Sequence, residues 1–277
     1  MSEIYIPPEN FSSNALISNM DEDKNQNQIS LDDPDGFWGE EAEQFFWFKK
    51  WSTVRQFNYD VRKGNISIEW FKGGKTNIAV NCIDRHLESR GDQIAILWEG
   101  NEPGENRSLT YAQLYVEVCR FSNVLKKNGV HKGDRVSIYM PMIPELAIAM
   151  LACARIGAVH SIVFGGFSAT ALADRITDSS CTFLVTTDGS FRGAKPVPVK
   201  VNADEAVELA TIKGVKVKTC IVVEHVGSKL STKMISGRDY WWHDEMKTVE
   251  STCEPEEMDA EDPLFILYTS GSTGKPK

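Results

Sequence analysis

The sequence lacks most of what a membrane, secreted or nucleic-acid-binding chain needs. No apolar run approaches the roughly 18–20 residues of a membrane-spanning helix. The N-terminus has neither the basic segment nor the apolar core of a secretory signal, and it is acidic and without Arg, unlike a transit peptide. There is no Cys-x-x-Cys pair. Cys82, Cys119, Cys153, Cys181, Cys220 and Cys253 stand far apart, most of them inside apolar runs such as Leu151-Ala-Cys153, so they read as reduced core residues of a cytosolic protein. The five histidines form no pair at helical spacing, and His243-Asp244-Glu245 reads as local hydrogen bonding, so no metal ligand is expected.

Basic charge is also scarce: 30 Lys and Arg stand against 39 Asp and Glu, a net charge of −9. Residues 1–36 hold eight acids and one base, Lys24, which leaves the rest of the chain nearly neutral. No basic face of the size that duplex nucleic acid requires is implied.

The 277 residues are 42% hydrophobic, a globular composition with room for one large or two modest domains. Residues 1–36, polar and acidic, are expected to be a disordered tail. Residues 37–93 form an aromatic-rich lead-in (Phe37, Trp38, Phe45, Phe46, Trp47, Phe48, Trp51), expected to pack onto the main body. Glu40, Glu41 and Glu43 argue against stacking on single-stranded nucleic acid there.

From about residue 94 to the end, strand and helix patterns alternate. Thr110-Tyr-Ala-Gln113 has capping-box spacing, and Tyr111, Leu114, Val118, Phe121 and Leu125 recur at helical intervals up to Gly129. Arg135–Met140 reads as a strand, and Pro144 suits the first turn of a helix that closes at Gly157. His160–Phe164, Cys181–Thr187, Thr219–Glu224 and Leu264–Tyr268 read as further strands. Between them lie helices from a Ser168 cap to Ile176 and across Ala203–Ala210. Strands joined by helical crossovers run parallel. The expected fold class is therefore α/β: a layered, mostly parallel sheet with helices on its faces and ligands at the carboxyl ends of its strands.

The last segment carries the most chemistry. The apolar run Leu264–Tyr268 leads into Thr269-Ser270-Gly271-Ser272-Thr273-Gly274-Lys275-Pro276-Lys277. Glycines let backbone N–H groups turn toward an anion, hydroxyls add donors, and a lysine supplies charge to phosphate oxygens. It is not a Walker loop, because Gly271 and Gly274 are three apart and Pro276 follows Lys275. Gly73-Gly74-Lys75-Thr76 fails as well, since Glu69 stands where the first glycine would be. Nor is Ser272 in a nucleophile elbow, because Ser270 replaces the leading glycine.

The segment Tyr268–Lys277 resembles the signature loop of the adenylate-forming superfamily: acyl-CoA synthetases, luciferases and peptide-synthetase adenylation domains. Four further segments, in order, resemble acetyl-CoA synthetases: Asn81–His86, Val163–Ser168, Arg192–Lys195 and Asp239–Asp244. The likeness is expected to run from about residue 34 to the end, leaving the acidic tail outside it.

The resemblance implies the first part of the large N-terminal domain of an adenylate-forming enzyme. It implies ATP, Mg2+ and CoA as substrates or cofactors, with acetate activated to acetyl-adenylate and then passed to the CoA thiol. Thr269, Ser270, Gly271, Ser272, Thr273, Gly274 and Lys275 would hold the β- and γ-phosphates, Lys275 as the catalytic charge that stabilises departing pyrophosphate. Arg192, Gly193, Ala194 and Lys195 would meet the nucleotide end of CoA, Arg as a fork and Lys as a point charge, although a solvated basic turn fits the same residues. Gly165 and Gly166 would let CoA approach the backbone, or simply form a turn.

The family's adenine, acyl and magnesium sites and its C-terminal domain come after the stretch that ends here at Lys277. The chain is therefore expected to be a truncated portion, inactive alone. Propionate or another short-chain acid is an alternative substrate, and a non-catalytic CoA- or partner-binding role is an alternative function. Neither nucleic acid nor membrane is expected as a partner, and the expected location is cytoplasmic, with the nucleus as an alternative.

Overall fold

The computed structural model describes residues 5–269. The chain divides into two compact units, one up to Gly74 and one from Lys75 onward.

In the first unit the stretch Met20–Asp32 is a helix, although its composition predicts disorder. Asn19 caps it by accepting from the N–H groups of Asp21 and Glu22, and three acids sit in its first turn, where the helix dipole favours them. It buries no residue, so local capping rather than a core defines it. Thr53–Asn58 and Ser67–Lys72 pair antiparallel. The aromatic residues form a cluster of their own: Trp47 lies 4.9 Å from Trp51 and 5.5 Å from Phe71, centroid to centroid, and the Trp47 indole donates to the Ala42 carbonyl at 2.9 Å.

The second unit begins inside the lead-in region because residues 75–77 are bound into the α/β body. Lys75–Thr76 pairs antiparallel with Met258–Asp259. Asn77, fully buried, donates to the carbonyls of Ala154 and Glu256, both at 2.9 Å. Six strands form its main sheet: β1 Arg135–Met140, β2 Val159–Phe164, β3 Phe183–Thr187, β4 Thr219–Val223, β5 Asp239–Trp241 and β6 Phe265–Ile266. Their order is β5-β4-β3-β1-β2-β6, and every pairing is parallel.

Helices α1 Tyr111–Lys127, α2 Pro144–Arg155, α3 Ala169–Ser179, α4 Val199–Ile212 and α5 Trp242–Met246 cover both faces. The Thr110 capping box forms: Gln113 N–H donates to the Thr110 hydroxyl at 3.2 Å, and the Gln113 side chain accepts from the Thr110 N–H at 2.9 Å. Ser168 caps α3 as its position predicts. One core joins α1 and α2 to Val136, Ile138 and Met140, with Trp242 of α5 stacked 3.8 Å from Phe121. The other joins α3 and α4 to Tyr139, Val163, Leu184 and Val222. Alternate residues of β1 thus feed opposite cores, as the period of a strand requires.

Three expectations need correction. The predicted strand Leu264–Tyr268 has only two ladder residues, because only Phe265 and Ile266 find partners, His160 and Ser161 of β2. The predicted helix Ala203–Ala210 is the middle of α4, whose first turn buries Val199 and Lys200. Cys82 is exposed at the end of the short helix Ile78–Cys82, whereas the other five cysteines are buried and all six are free.

Two of the segments singled out in the sequence hold the unit together. Asp84 binds Arg155 across the chain. Asp239, whose side chain is fully buried, meets Lys200 at 2.8 Å and also pairs with Arg238. Burial opposes ionisation of Asp239, but the hydrogen bonds from Arg238, Lys200 and the Ile235 N–H outweigh it and hold the carboxyl below its ordinary range.

Candidate nucleotide and CoA site

Because the strands are parallel, the segments that follow β2, β3 and β6 leave the same carboxyl edge of the sheet. The chain passes from β1 to β2 on one side, then crosses to β3 on the other, so the strand order reverses around β1. Such a switch point opens a crevice for ligands.

After β3, the sequence-predicted residues Arg192, Gly193, Ala194 and Lys195 form the tip of a hairpin. Ser190–Arg192 pairs with Lys195–Val197, and Arg192 lies directly opposite Lys195. Gly193 takes φ +56°, the positive φ that a two-residue hairpin turn needs at its first central position. The two cations are exposed and stand at one rung of the ladder. The Asn101 amide donates to the Gly193 carbonyl at 2.8 Å. A cleft of about 250 Å³ adjoins the hairpin, lined by Asn101, Glu102, Glu105, Phe191, Ala194 and Lys229. The Lys229 ammonium sits 4.5 Å from the centre of the Phe191 ring.

Sequence reasoning missed the residue that anchors this hairpin. Asp188, buried at the end of β3, accepts hydrogen bonds from four backbone N–H groups: Gly189 at 2.7 Å, His225 at 2.8 Å, Val226 at 3.1 Å and Gly227 at 2.8 Å. One carboxylate therefore ties the start of the hairpin to the loop after β4. A lone Asp at a strand end gives no signal of this in a sequence.

After β2 come Gly165 and Gly166. A Cβ on Gly165 would lie 2.8 Å from the Met140 carbonyl carbon and 3.0 Å from the Pro141 nitrogen. Close approach of the chain leaving β1 thus demands glycine here, whatever binds nearby.

After β6, Tyr268 and exposed Thr269 begin the predicted phosphate loop. Ser270, Gly271, Ser272, Thr273, Gly274 and Lys275 lie outside the described residues. The Tyr268 phenol donates to Asp178 Oδ2 at 2.7 Å. Burial and that carboxylate push it well above its ordinary pKa, so it stays protonated. An apolar cleft of about 330 Å³, with Met140, Met142, Ile162, Phe164, Leu267 and Tyr268 among its walls, opens beside it.

Among the described residues no group of three His, Cys, Asp or Glu could hold a metal ion. His243 lies 3.4 Å from Asp244. No helix among the described residues is long and apolar enough to cross a membrane.

A parallel sheet with glycine-rich and basic segments along one carboxyl edge describes a nucleotide-handling α/β enzyme. The chain belongs to the AMP-binding enzyme family, which matches residues 83–277, and the acetyl-coenzyme A synthetase N-terminus matches residues 24–82.

The acetyl-coenzyme A synthetase of Desulfatibacillum aliphaticivorans is 59% identical over 90% of this chain and 37% of its own. That of Mesorhizobium japonicum is 53% identical over 100% of this chain and 42% of its own. Among solved structures, an acetoacetyl-CoA synthetase from Streptomyces lividans superposes with a TM-score of 0.79 at 26% identity, over 90% of this chain and 36% of that one. The chain thus spans about two fifths of the length of the curated relatives it matches. These matches correct one expectation: the likeness begins well before residue 34 and includes part of the acidic tail.

Proposed function

We propose that the protein carrying this sequence is an AMP-forming acetate–CoA ligase. The observation that carries the reading is the 53–59% identity to acetyl-coenzyme A synthetases. The reading is supported by a parallel sheet whose one carboxyl edge is followed by Gly165-Gly166, by the Arg192–Lys195 hairpin and by Tyr268-Thr269.

In the first step an acetate oxygen attacks the α-phosphorus of ATP and pyrophosphate leaves. Thr269 through Lys275 hold the β- and γ-phosphates, and the Lys275 ammonium stabilises the charge that builds on the leaving group. In the second step the CoA thiol attacks the acyl carbonyl and AMP leaves. Arg192 and Lys195, fixed on one hairpin rung, bind phosphate at the nucleotide end of CoA, with Gly193 and Ala194 keeping the tip small. Gly165 and Gly166 let the CoA chain approach the backbone. Mg2+ enters with the nucleotide, and no described residue is assigned as its ligand. Acetate, ATP and CoA are the partners, and the location is cytoplasmic.

The test is ATP–pyrophosphate exchange with the protein that carries this sequence. Exchange that requires acetate and runs faster with acetate than with propionate supports the reading. Exchange indifferent to added acid overturns it.

A further inference from the structure

Two of the segments at the sheet edge are bound to one side chain that no motif marks. Arg175, on α3 and 9% exposed, places its guanidinium carbon 5.0 Å from the centre of the Phe167 ring and 5.1 Å from the centre of the Tyr268 ring. Phe167 closes the turn that begins with Gly165 and Gly166, and Tyr268 is the residue before Thr269. The guanidinium is held on its own helix, with Nη1 donating to the Ala171 carbonyl at 2.8 Å. Among the described residues it makes no ion pair, so the two ring faces and one carbonyl are what this buried cation gains in place of water.

Each ring segment has a second tether, one to β1 and the other again to α3. The Tyr139 hydroxyl of β1 donates to the Phe167 carbonyl at 2.6 Å, and the Tyr268 hydroxyl donates to Asp178 of α3 at 2.7 Å. These tethers matter because β6 contributes only Phe265 and Ile266 to the sheet, so backbone pairing stops two residues before Tyr268. Arginine suits the place: it is planar, always charged, and stacks on aromatic faces on both sides, whereas lysine is a point charge without a plane.

We propose that Arg175 is a positioning residue that sets the spacing between the glycine turn after β2 and the start of the phosphate loop after β6 by lying between Phe167 and Tyr268. The names of the ligands that gain from this spacing rest on the proposed function; the coupling of the two segments does not.

The test is hydrogen exchange, read by mass spectrometry on the full 277-residue chain, at residues 164–169 and 264–269, with strands β1 and β3 as internal references. Arg175→Lys keeps the charge and removes the plane, and should speed exchange about tenfold in both segments with the references unmoved. Phe167→Leu, at an exposed position, should speed exchange at 264–269 across the guanidinium, a transfer that a purely local role would not produce. Should Arg175→Lys fail to fold, Phe167→Leu decides alone. Tyr268→Phe keeps the ring and loses the bond to Asp178, so exchange at 164–169 should stay at the wild-type rate.

Unchanged exchange at 264–269 in Phe167→Leu overturns the proposal, as does acceleration spread equally over the references. Calorimetry with CoA and with Mg-ATP on the wild-type chain separates the two readings. Absence of heat with both ligands, alongside the expected exchange pattern, counts against the ligand assignment and leaves the role of Arg175 standing.

Discussion

Arg155 and Asp84 face each other across two hydrogen bonds, Nη1 to Oδ2 at 2.9 Å and Nη2 to Oδ1 at 3.0 Å. The Arg155 side chain is 2% exposed, and its Nε donates to the Cys253 carbonyl at 2.6 Å, so one side chain joins the end of α2, the turn at Asp84 and the strap near Cys253. Removing the carboxylate would leave a buried, always-charged group without its counter-ion. Asp84→Ala should therefore destabilise the chain by about 3 kcal/mol, read as a lower urea midpoint with an unchanged m-value. Asp84→Asn, which keeps one acceptor, should lose less. A midpoint unmoved in Asp84→Ala would show that the pair contributes nothing to the fold.

The proposed function gives the charge on Lys275 to the outer phosphates. Losing one charge-assisted contact there costs about 1.5–3 kcal/mol, or roughly ten- to a hundredfold in acetate-dependent ATP–pyrophosphate exchange for Lys275→Ala in the protein that carries this sequence. An exchange rate equal to wild type refutes the assignment.

Arg192 and Lys195 are exposed and opposite each other on the hairpin, so neither supports the core. Arg192→Ala should weaken CoA binding about tenfold with melting temperature unchanged, and Lys195→Ala should weaken it less, because a guanidinium grips phosphate as a fork and an ammonium as a point. Titration calorimetry measures both. Equal affinity in all three proteins would return the hairpin to the status of a solvated turn.

Burial lowers the pKa of His160 to about 4, from an ordinary value near 6.5. Because the folded chain resists protonation that the unfolded chain accepts, the unfolded state binds more protons between those two values. Stability from this group is full above pH 6.5 and is lost as pH falls toward 4, up to about 3 kcal/mol. His160→Gln should flatten the melting-temperature profile across that window. A slope the same as wild type would place the acid sensitivity elsewhere.

Much of the second unit is legible in the sequence because its elements rest on local rules. The Thr110–Gln113 box, Pro144 at a first helical turn and the Ser168 cap each involve residues within one turn of each other, and all three stand in the structure as their spacing requires. The helix Met20–Asp32 was not legible, because its cap is local but its polar composition reads as disorder. The short β6 was hidden for the opposite reason. An apolar run predicts a strand, but how many residues pair depends on a neighbour far away in sequence.

By itself the sequence determined the α/β alternation and the residue types of the segments at the sheet edge, since periodicity and residue type act over a few positions. The tertiary structure alone decided which side chains hold those segments. Asp188 gathers N–H groups from residues 189 and 225–227, and Arg175 lies between rings at positions 167 and 268. Such partners meet only after the crossovers have folded back on the sheet, so their pairing is a property of packing and leaves no spacing to read.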